Sequence, residues 1–197
     1  MRSNMKIKNT VLTAILFLSS LFVLSCKSNE YGPDTVDING MVYDFSNRPV
    51  PNCEIFLGGK YAGITDINGR FSFLKIPAGT YTVTGSKIDF ETYTEEITVK
   101  ERGQIIYIRI PSMVQLLNLT DEALTANNQE AAMEMVERVF RIDNKNTEAL
   151  FYAAAILFRQ KKYDEAIMML ETAKETGTRD PYVEKFLANL KELYYAN

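Results

Sequence analysis

From about Val36 to Ile110 the chain consists of short runs in which apolar and polar residues alternate. Successive side chains of a β-strand point to opposite faces of a sheet, so a period of two is typical of a strand with one buried face. About seven such runs are separated by turn residues such as Gly58-Gly59 and Asp66-Ile67-Asn68-Gly69. The pattern predicts a small seven-stranded antiparallel β-sandwich over residues 36–110.

After Pro111 the hydrophobic period changes to 3.6 residues, which predicts amphipathic helices. Four clusters of turn residues, the first at Asn127-Asn128 and the last at Thr176-Gly177-Thr178, divide residues 113–197 into five helices. The helical part also repeats itself at a spacing of 34 residues, since this shift aligns Ala132 with Ala166. The chain therefore has a multidomain α and β organisation, with repeats at about 113–146 and 147–180 and a final capping helix.

The first residues have the pattern of an export signal. Arg2, Lys6 and Lys8 carry the only charges before residue 26, and an uncharged run extends from Val11 to Ser25. As a helix this run would span about 22 Å, less than the ~30 Å hydrocarbon core of a bilayer. We therefore predict a cleaved signal peptide over residues 1–25, with either Met1 or Met5 as the start.

The end of this run, Leu21-Phe22-Val23-Leu24-Ser25-Cys26, resembles the lipobox of bacterial lipoproteins. The resemblance implies that Cys26 is lipidated and becomes the first residue of the mature chain, with residues 26–35 as a polar tether. The alternative is an ordinary secretory signal that contains a cysteine. The expected location is the cell envelope, where the chain would be lipid-anchored to a bacterial membrane, at its periplasmic face or its outer surface.

Composition excludes several classes of chemistry. The chain has no histidine, so catalysis by Ser-His-Asp or Cys-His groups and metal sites with histidine ligands are ruled out. The formal charge is -3 and no basic tract is present, which argues against a nucleic-acid-binding surface. No cofactor is expected.

Three features of the predicted strands each allow two interpretations. Cys53 is either a reactive thiol or, as its alternation with Ile55 favours, a buried strand residue. The segment Asp66-Ile67-Asn68-Gly69 shares a rhythm with calcium loops but lacks their other acidic ligands, which favours a plain turn. The tyrosines of this segment either form a stacking platform for sugars or are strand residues whose hydroxyl ends reach solvent. They are Tyr31, Tyr43, Tyr61, Tyr81, Tyr93 and Tyr107.

Several motifs of the β segment occur in the order seen in a known family. They include Arg48-Pro49-Val50-Pro51-Asn52-Cys53, Thr65-Asp66-Ile67-Asn68-Gly69-Arg70-Phe71 and Ile76-Pro77-Ala78-Gly79-Thr80-Tyr81. Together they resemble the carboxypeptidase regulatory-like domain, a transthyretin-like β-sandwich. The resemblance implies an accessory, non-catalytic module of exported proteins, for which binding of sugars or proteins is proposed. At Asp89-Phe90 the chain differs from the Gly-aromatic pair that is common in this family.

The helical segment resembles tetratricopeptide repeats, most closely from Ala153-Ala154 to Ala173. The resemblance implies a solenoid whose concave face is lined by the first helix of each pair and binds other proteins. With this register the candidate partner contacts are Asp121, Phe151, Phe158, Arg159, Tyr182 and Lys185.

Three functions of different classes follow from these patterns. A membrane-anchored lipoprotein that acts as a non-catalytic protein-binding adaptor is the leading hypothesis. A surface lipoprotein that binds carbohydrate through the β-sandwich is the alternative. An enzyme with paired carboxylates is not expected, because no pair of acids lies in a distinctive motif.

Overall fold

The computed structural model describes residues 35–100 and 103–195. These residues form seven strands followed by five helices, the order expected from the sequence. The strands are β1 (Thr35–Tyr43), β2 (Glu54–Leu57), β3 (Lys60–Ile64), β4 (Arg70–Pro77), β5 (Gly79–Ser86), β6 (Tyr93–Val99) and β7 (Ile105–Arg109). The helices are α1 (Met113–Thr125), α2 (Gln129–Ile142), α3 (Thr147–Arg159), α4 (Tyr163–Glu175) and α5 (Pro181–Tyr195). Residues 35–110 are called the β domain below, and residues 113–195 the helical domain.

The strands form two sheets, of three strands in the order β4-β1-β7 and of four strands in the order β3-β2-β5-β6. The pairs β2–β3, β2–β5 and β5–β6 are antiparallel. The pair β1–β7 is parallel, with Asn39 opposite Ile105 and Tyr43 opposite Arg109, and here the expected all-antiparallel arrangement is wrong. Alternation of apolar residues fixes which face of a strand is buried, but it carries no information on strand direction.

Buried side chains of both sheets form one hydrophobic cluster, which is the core of the β domain. Gly40 of β1 packs directly against the ring of Phe71 in this core. A Cβ atom added at Gly40 would lie 2.0 Å from Cζ of that ring. The cluster consists of Val36, Ile38, Val42, Val50, Cys53, Ile55, Phe71, Phe73, Val83, Val99, Ile106, Ile108 and Ile110.

Two loops of the β domain share one turn geometry. In the first, Oδ1 of Asp66 accepts hydrogen bonds from the backbone N–H groups of Asn68 and Arg70, each at 2.8 Å, while Gly69 adopts a φ of 73°. In the second, Oδ1 of Asp44 accepts hydrogen bonds from the backbone N–H groups of Ser46 and Arg48, at 2.8 and 2.9 Å. Asn47 adopts a φ of 58° in this loop. The predicted turn at Asp66 is therefore confirmed, and the aspartate is used to close the loop.

The helices reproduce the 34-residue spacing of the sequence. Helices α1, α3 and α5 begin at residues 113, 147 and 181, and helices α2 and α4 begin at residues 129 and 163. Local caps explain several of these starts: Ser112 and Gln115 form a capping box, and Asn128 and Asn146 accept hydrogen bonds from the third backbone N–H beyond them. The repeats are thus marked by polar caps as well as by apolar faces.

Two clusters of buried side chains hold the helices together. One joins α1, α2 and α3 around residues such as Leu116, Val136 and Ile156, and the other joins α3, α4 and α5 around residues such as Leu170 and Leu190. Each cluster spans neighbouring helices, as expected for a solenoid in which every element packs on the next.

The helical domain begins against one end of the β domain. The loop after β5 contributes a backbone hydrogen bond from Met113 N to Asp89 O at 2.8 Å, and Asp89 itself has a φ of 64°. This left-handed backbone explains why glycine suits the position at which Asp89 replaces it. The turn after β1 adds a second contact, in which Gln115 of α1 donates from Nε2 to Oγ of Ser46 at 3.0 Å.

Charged groups complete this contact. The carboxylate of Glu91 accepts hydrogen bonds from Arg138 of α2, and Nη2 of Arg141 lies 3.1 Å from Oε1 of the same carboxylate. The guanidinium carbon of Arg138 also lies 5.4 Å from the ring centroid of Phe45, and that of Arg109 lies 5.7 Å from it. The first helix pair is therefore attached to the β domain by hydrogen bonds, ion pairs and an aromatic ring.

Candidate functional site

A groove lies between the first halves of α3 and α5 and is called the α3–α5 groove. Both helices start beside it behind polar caps, since Asn146 accepts from Ala149 N at 2.9 Å and Oδ1 of Asp180 accepts from Tyr182 N at 2.8 Å. The lining residues are Thr147, Glu148, Phe151, Tyr152, Thr178, Asp180 and Val183.

The lining combines apolar and charged side chains. Val183 is buried, and Phe151 and Tyr152 are half-buried, so these three side chains supply the apolar part of the lining. The carboxylates of Glu148 and Asp180 belong to exposed residues at its rim. This arrangement is suited to binding a polypeptide segment, with apolar contacts below and charged contacts at the edge.

The pKa of the tyrosine in this groove is shifted. Burial, followed by the nearby carboxylates of Glu148 and Asp121, raises the pKa of Tyr152 above its ordinary value. Asp121 belongs to α1 and is not among the lining residues.

Of the six predicted contact residues, only Phe151 lines the α3–α5 groove. Asp121, Arg159, Tyr182 and Lys185 are exposed, but they lie outside its lining. Their roles in partner binding stay predictions.

Sequence reasoning missed Glu148, Tyr152 and Asp180 as groove residues. A signal for one of them was available, since Glu148 stands 34 residues before Tyr182 and so occupies the same place in the repeat. Both residues are exposed, as that equivalence predicts.

Phe151 and Phe158, two of the predicted contact residues, are only partly accessible. Both are half-buried and pack on the second helical cluster. Their ring centroids lie 5.8 and 5.7 Å from that of Phe186 in α5, in edge-to-face geometry. Because the last helix covers them, truncation of either ring would cost stability as well as any partner contact.

The tyrosines of the β domain are divided between its two sheets. Tyr43 and Tyr107 belong to the three-stranded sheet, whereas Tyr61, Tyr81 and Tyr93 belong to the four-stranded sheet. Tyr81 and Tyr93 pack against the core. The described tyrosines therefore form no single platform, and Tyr31 lies outside the described residues.

Cys53 is fully buried directly before β2, as the alternation predicted. Burial raises the pKa of its thiol to about 11, so the reactive thiolate is disfavoured near neutral pH. Within residues 35–100 and 103–195, no three side chains with Cys, Asp or Glu ligands are grouped so that they could hold a metal ion.

The predicted lipidation site, Cys26, and the predicted signal peptide lie outside the described residues. Among the helices that the structure describes, none has the length and apolar character needed to cross a membrane.

Comparison with family sequence models identifies both parts of the chain. Residues 37–107 match the carboxypeptidase regulatory-like domain, and residues 123–190 match a tetratricopeptide repeat family. The chain thus has one segment that matches the carboxypeptidase regulatory-like domain, followed by one that matches tetratricopeptide repeats. Both are non-catalytic families, and the order of the two domains is the one expected from the sequence. A comparison with curated proteins gave no match.

The chain is also similar to parts of solved structures. A cohesin–X-dockerin complex from Acetivibrio cellulolyticus shares 20% identity over 39% of this chain and 58% of that chain, with a TM-score of 0.34. The major pilin subunit of Bacillus cereus shares 19% identity over 41% of this chain and 30% of that chain, with a TM-score of 0.33. A putative carbohydrate-binding protein from Pseudomonas aeruginosa shares 18% identity over 39% of this chain and 88% of that chain, with a TM-score of 0.30.

The first two matches span less than two thirds of the matched chains. Similarities of this size carry no argument about what this chain binds.

Proposed function

We propose that this chain is an exported lipoprotein, held to a bacterial membrane by lipid on Cys26, that acts as a non-catalytic protein-binding adaptor. The α3–α5 groove carries the binding part of this proposal. It offers half-buried aromatic rings beside exposed carboxylates in a repeat family that fits a role in binding other proteins.

The anchoring part rests on the sequence. The charged start, the uncharged run from Val11 to Ser25 and the pair Ser25-Cys26 coincide at one position. The mature chain would carry 19 basic and 25 acidic residues, so attraction to anionic headgroups would not hold it at a membrane. Acyl chains would have to supply the attachment, at about 0.8 kcal/mol per buried CH₂ group.

A Cys26→Ser variant tests the anchor. We expect the wild-type chain in the membrane fraction with the mass of an acylated chain that begins at residue 26. The variant should not have the mass of an acylated chain. It should either keep its signal segment or leave the membrane fraction. A wild-type chain that retains residues 1–25 and carries no lipid would refute the lipoprotein proposal.

Site-specific photo-crosslinking in cells tests the adaptor. A photoreactive benzoylphenylalanine replaces Tyr182, which is 72% exposed at the start of α5, and in a matched control it replaces Tyr61, which is 60% exposed on β3. We expect a discrete protein adduct from position 182 that is missing from position 61. Adducts from position 61 alone would move the binding surface to the β domain, and no protein adduct from either position would favour the carbohydrate alternative.

A further inference from the structure

The charge of the α3–α5 groove is one-sided. Glu148 and Asp180 line it, and none of its seven described lining residues is basic.

Helix dipoles account for only part of this acidity. Glu148 and Asp180 stand at the N-termini of α3 and α5, where each helix end carries about half a positive charge and favours an acid. Two full negative charges exceed two such half charges.

The nearby basic residues do not line the groove. Arg159 is eleven residues beyond Glu148 on α3, about 16 Å along the axis, which exceeds the screening length of about 8 Å at physiological salt. Lys185 follows Val183 by two residues, and residues at that spacing do not face the same side of a helix. Arg179 is exposed beside Asp180 and also lies outside the lining. The lining itself therefore contributes two carboxylates and no basic side chain, with Arg179 adjacent to one of them in the sequence.

We propose that the segment bound in the α3–α5 groove is a cationic peptide, whose Lys or Arg side chains pair with Glu148 and Asp180 while apolar side chains contact Phe151 and Tyr152. This proposal rests on the proposed adaptor function and specifies the chemistry of its partner. Charge complementarity supports the assignment, because an acidic rim attracts basic segments and repels acidic ones.

Binding of synthetic peptides to the full chain, purified from membranes in a nonionic detergent, tests the proposal. The probes are a short fluorescent peptide of alternating leucine and lysine and matched peptides with glutamate or glutamine at every lysine. We expect the lysine peptide to bind at least about tenfold more tightly than the glutamate peptide, and the difference to shrink at about 0.5 M salt.

Paired variants assign the effect to the groove. Glu148→Gln with Asp180→Asn removes both carboxylates, and asparagine preserves the cap of α5. We expect this variant to lose roughly tenfold in affinity for the lysine peptide while its thermal unfolding stays close to that of the wild type. The control, Glu134→Gln with Glu137→Gln, removes two exposed carboxylates from α2 and should change affinity by less than about twofold.

Three results would overturn the cationic preference: no binding of the lysine peptide, equal binding of the glutamate peptide, or equal losses in the groove variant and the control. A concentration-dependent dimer that the groove variant abolishes would also overturn it, by identifying a second copy as the occupant. Photo-crosslinking at position 182 tests the adaptor function independently of the peptide assay. An adduct there would support the adaptor function even if the cationic preference is wrong. Tight binding of the lysine peptide without any cellular adduct would support the cationic preference of the groove and contradict the adaptor function.

Discussion

Arg138 of α2 holds Glu91 of the β domain through two of its nitrogens, with Nη2 2.6 Å from Oε2 and Nε 3.1 Å from Oε1. Only 17% of the arginine side chain and 20% of the glutamate side chain are exposed. Solvent therefore screens this pair less than an exposed one, and the pair joins residues 47 positions apart in the sequence.

Replacement of this carboxylate should weaken the fold. We expect Glu91→Gln to lower the free energy of unfolding by about 1–3 kcal/mol, because it leaves Arg138 partly buried without its counter-charge. Urea unfolding measures the change. Glu171→Gln is a matched control, since its pair with Lys191 also has a 2.6 Å distance but leaves 40–49% of the side chains exposed. The control should change stability by less than about 1 kcal/mol, and an equal loss in both would contradict the prediction.

The same pair should produce a defined pH dependence. Hydrogen bonds from Arg138, followed by those from Arg141, outweigh burial and lower the pKa of Glu91 below its ordinary 4.5. A lowered folded-state pKa contributes stability that is complete above the unfolded value and is lost as the pH falls through the folded value. The difference in unfolding free energy between wild type and Glu91→Gln should therefore be constant above about pH 5.5 and shrink below pH 4.5. A difference that grows on acidification would show that the ion pair does not stabilise the fold.

Gly40 should tolerate no side chain. We expect Gly40→Ala to destabilise the β domain by about 3 kcal/mol, because the new Cβ would meet the buried Phe71 ring at 2.0 Å. Gly79→Ala is the control, since its nearest neighbour is a Tyr81 ring atom at an ordinary 3.5 Å, and it should change stability by less than about 1 kcal/mol. Partial rescue of Gly40→Ala by Phe71→Leu would confirm that the ring is the obstacle.

The start of α4 offers a stabilising substitution. Lys162 stands at its N-cap without a side-chain hydrogen bond, whereas Asn128, 34 residues earlier, accepts one from Ala131 N at 3.1 Å. We expect Lys162→Asn to raise the free energy of unfolding by about 1 kcal/mol, measured by thermal or urea unfolding. Lys162→Ala removes the same charge without supplying a cap and should give no such gain. Equal stabilisation by both would attribute the effect to charge.

The buried thiol gives a direct probe of core integrity. With a pKa of about 11, roughly one part in a thousand of Cys53 is thiolate at pH 8, and the group is fully buried. We expect no reaction with a thiol reagent in the folded chain and complete reaction in denaturant, with Cys53→Ala as the blank. Fast labelling of the folded chain would show that the core opens near β2.

Features encoded within a few residues, or repeated at a fixed period, could be predicted from the sequence. The helix starts follow from caps such as Asn128 and Asn146 together with the 34-residue spacing. Burial of Cys53 and the turn at Asp66 follow from alternation and from local hydrogen bonding. In each case the information lies in neighbouring residues.

Features that depend on distant residues could not be predicted. The contact between Glu91 and Arg138 requires knowing where the β5–β6 loop meets α2, and no local pattern encodes that meeting. Asp180 acts at the groove only because the start of α5 lies beside that of α3. The half-burial of Phe151 and Phe158 by α5 could not be predicted, because the helical period identifies an apolar side chain but not the helix that covers it.

The parallel pairing of β1 with β7 determines where the helices stand. β1 begins at Thr35 and ends beside Arg109 of β7, and Ile110 N then donates to Tyr43 O at 2.9 Å. Helix α1 therefore starts at the end of the β domain opposite the beginning of β1. The length of β1 from Thr35 to Tyr43 is about 26 Å at about 3.3 Å per residue. In a chain anchored at Cys26 as proposed, the tether would therefore join the β domain at one end, and the repeats would leave it at the other. A last strand of opposite direction would instead have placed the start of α1 at the same end of the β domain as the start of β1.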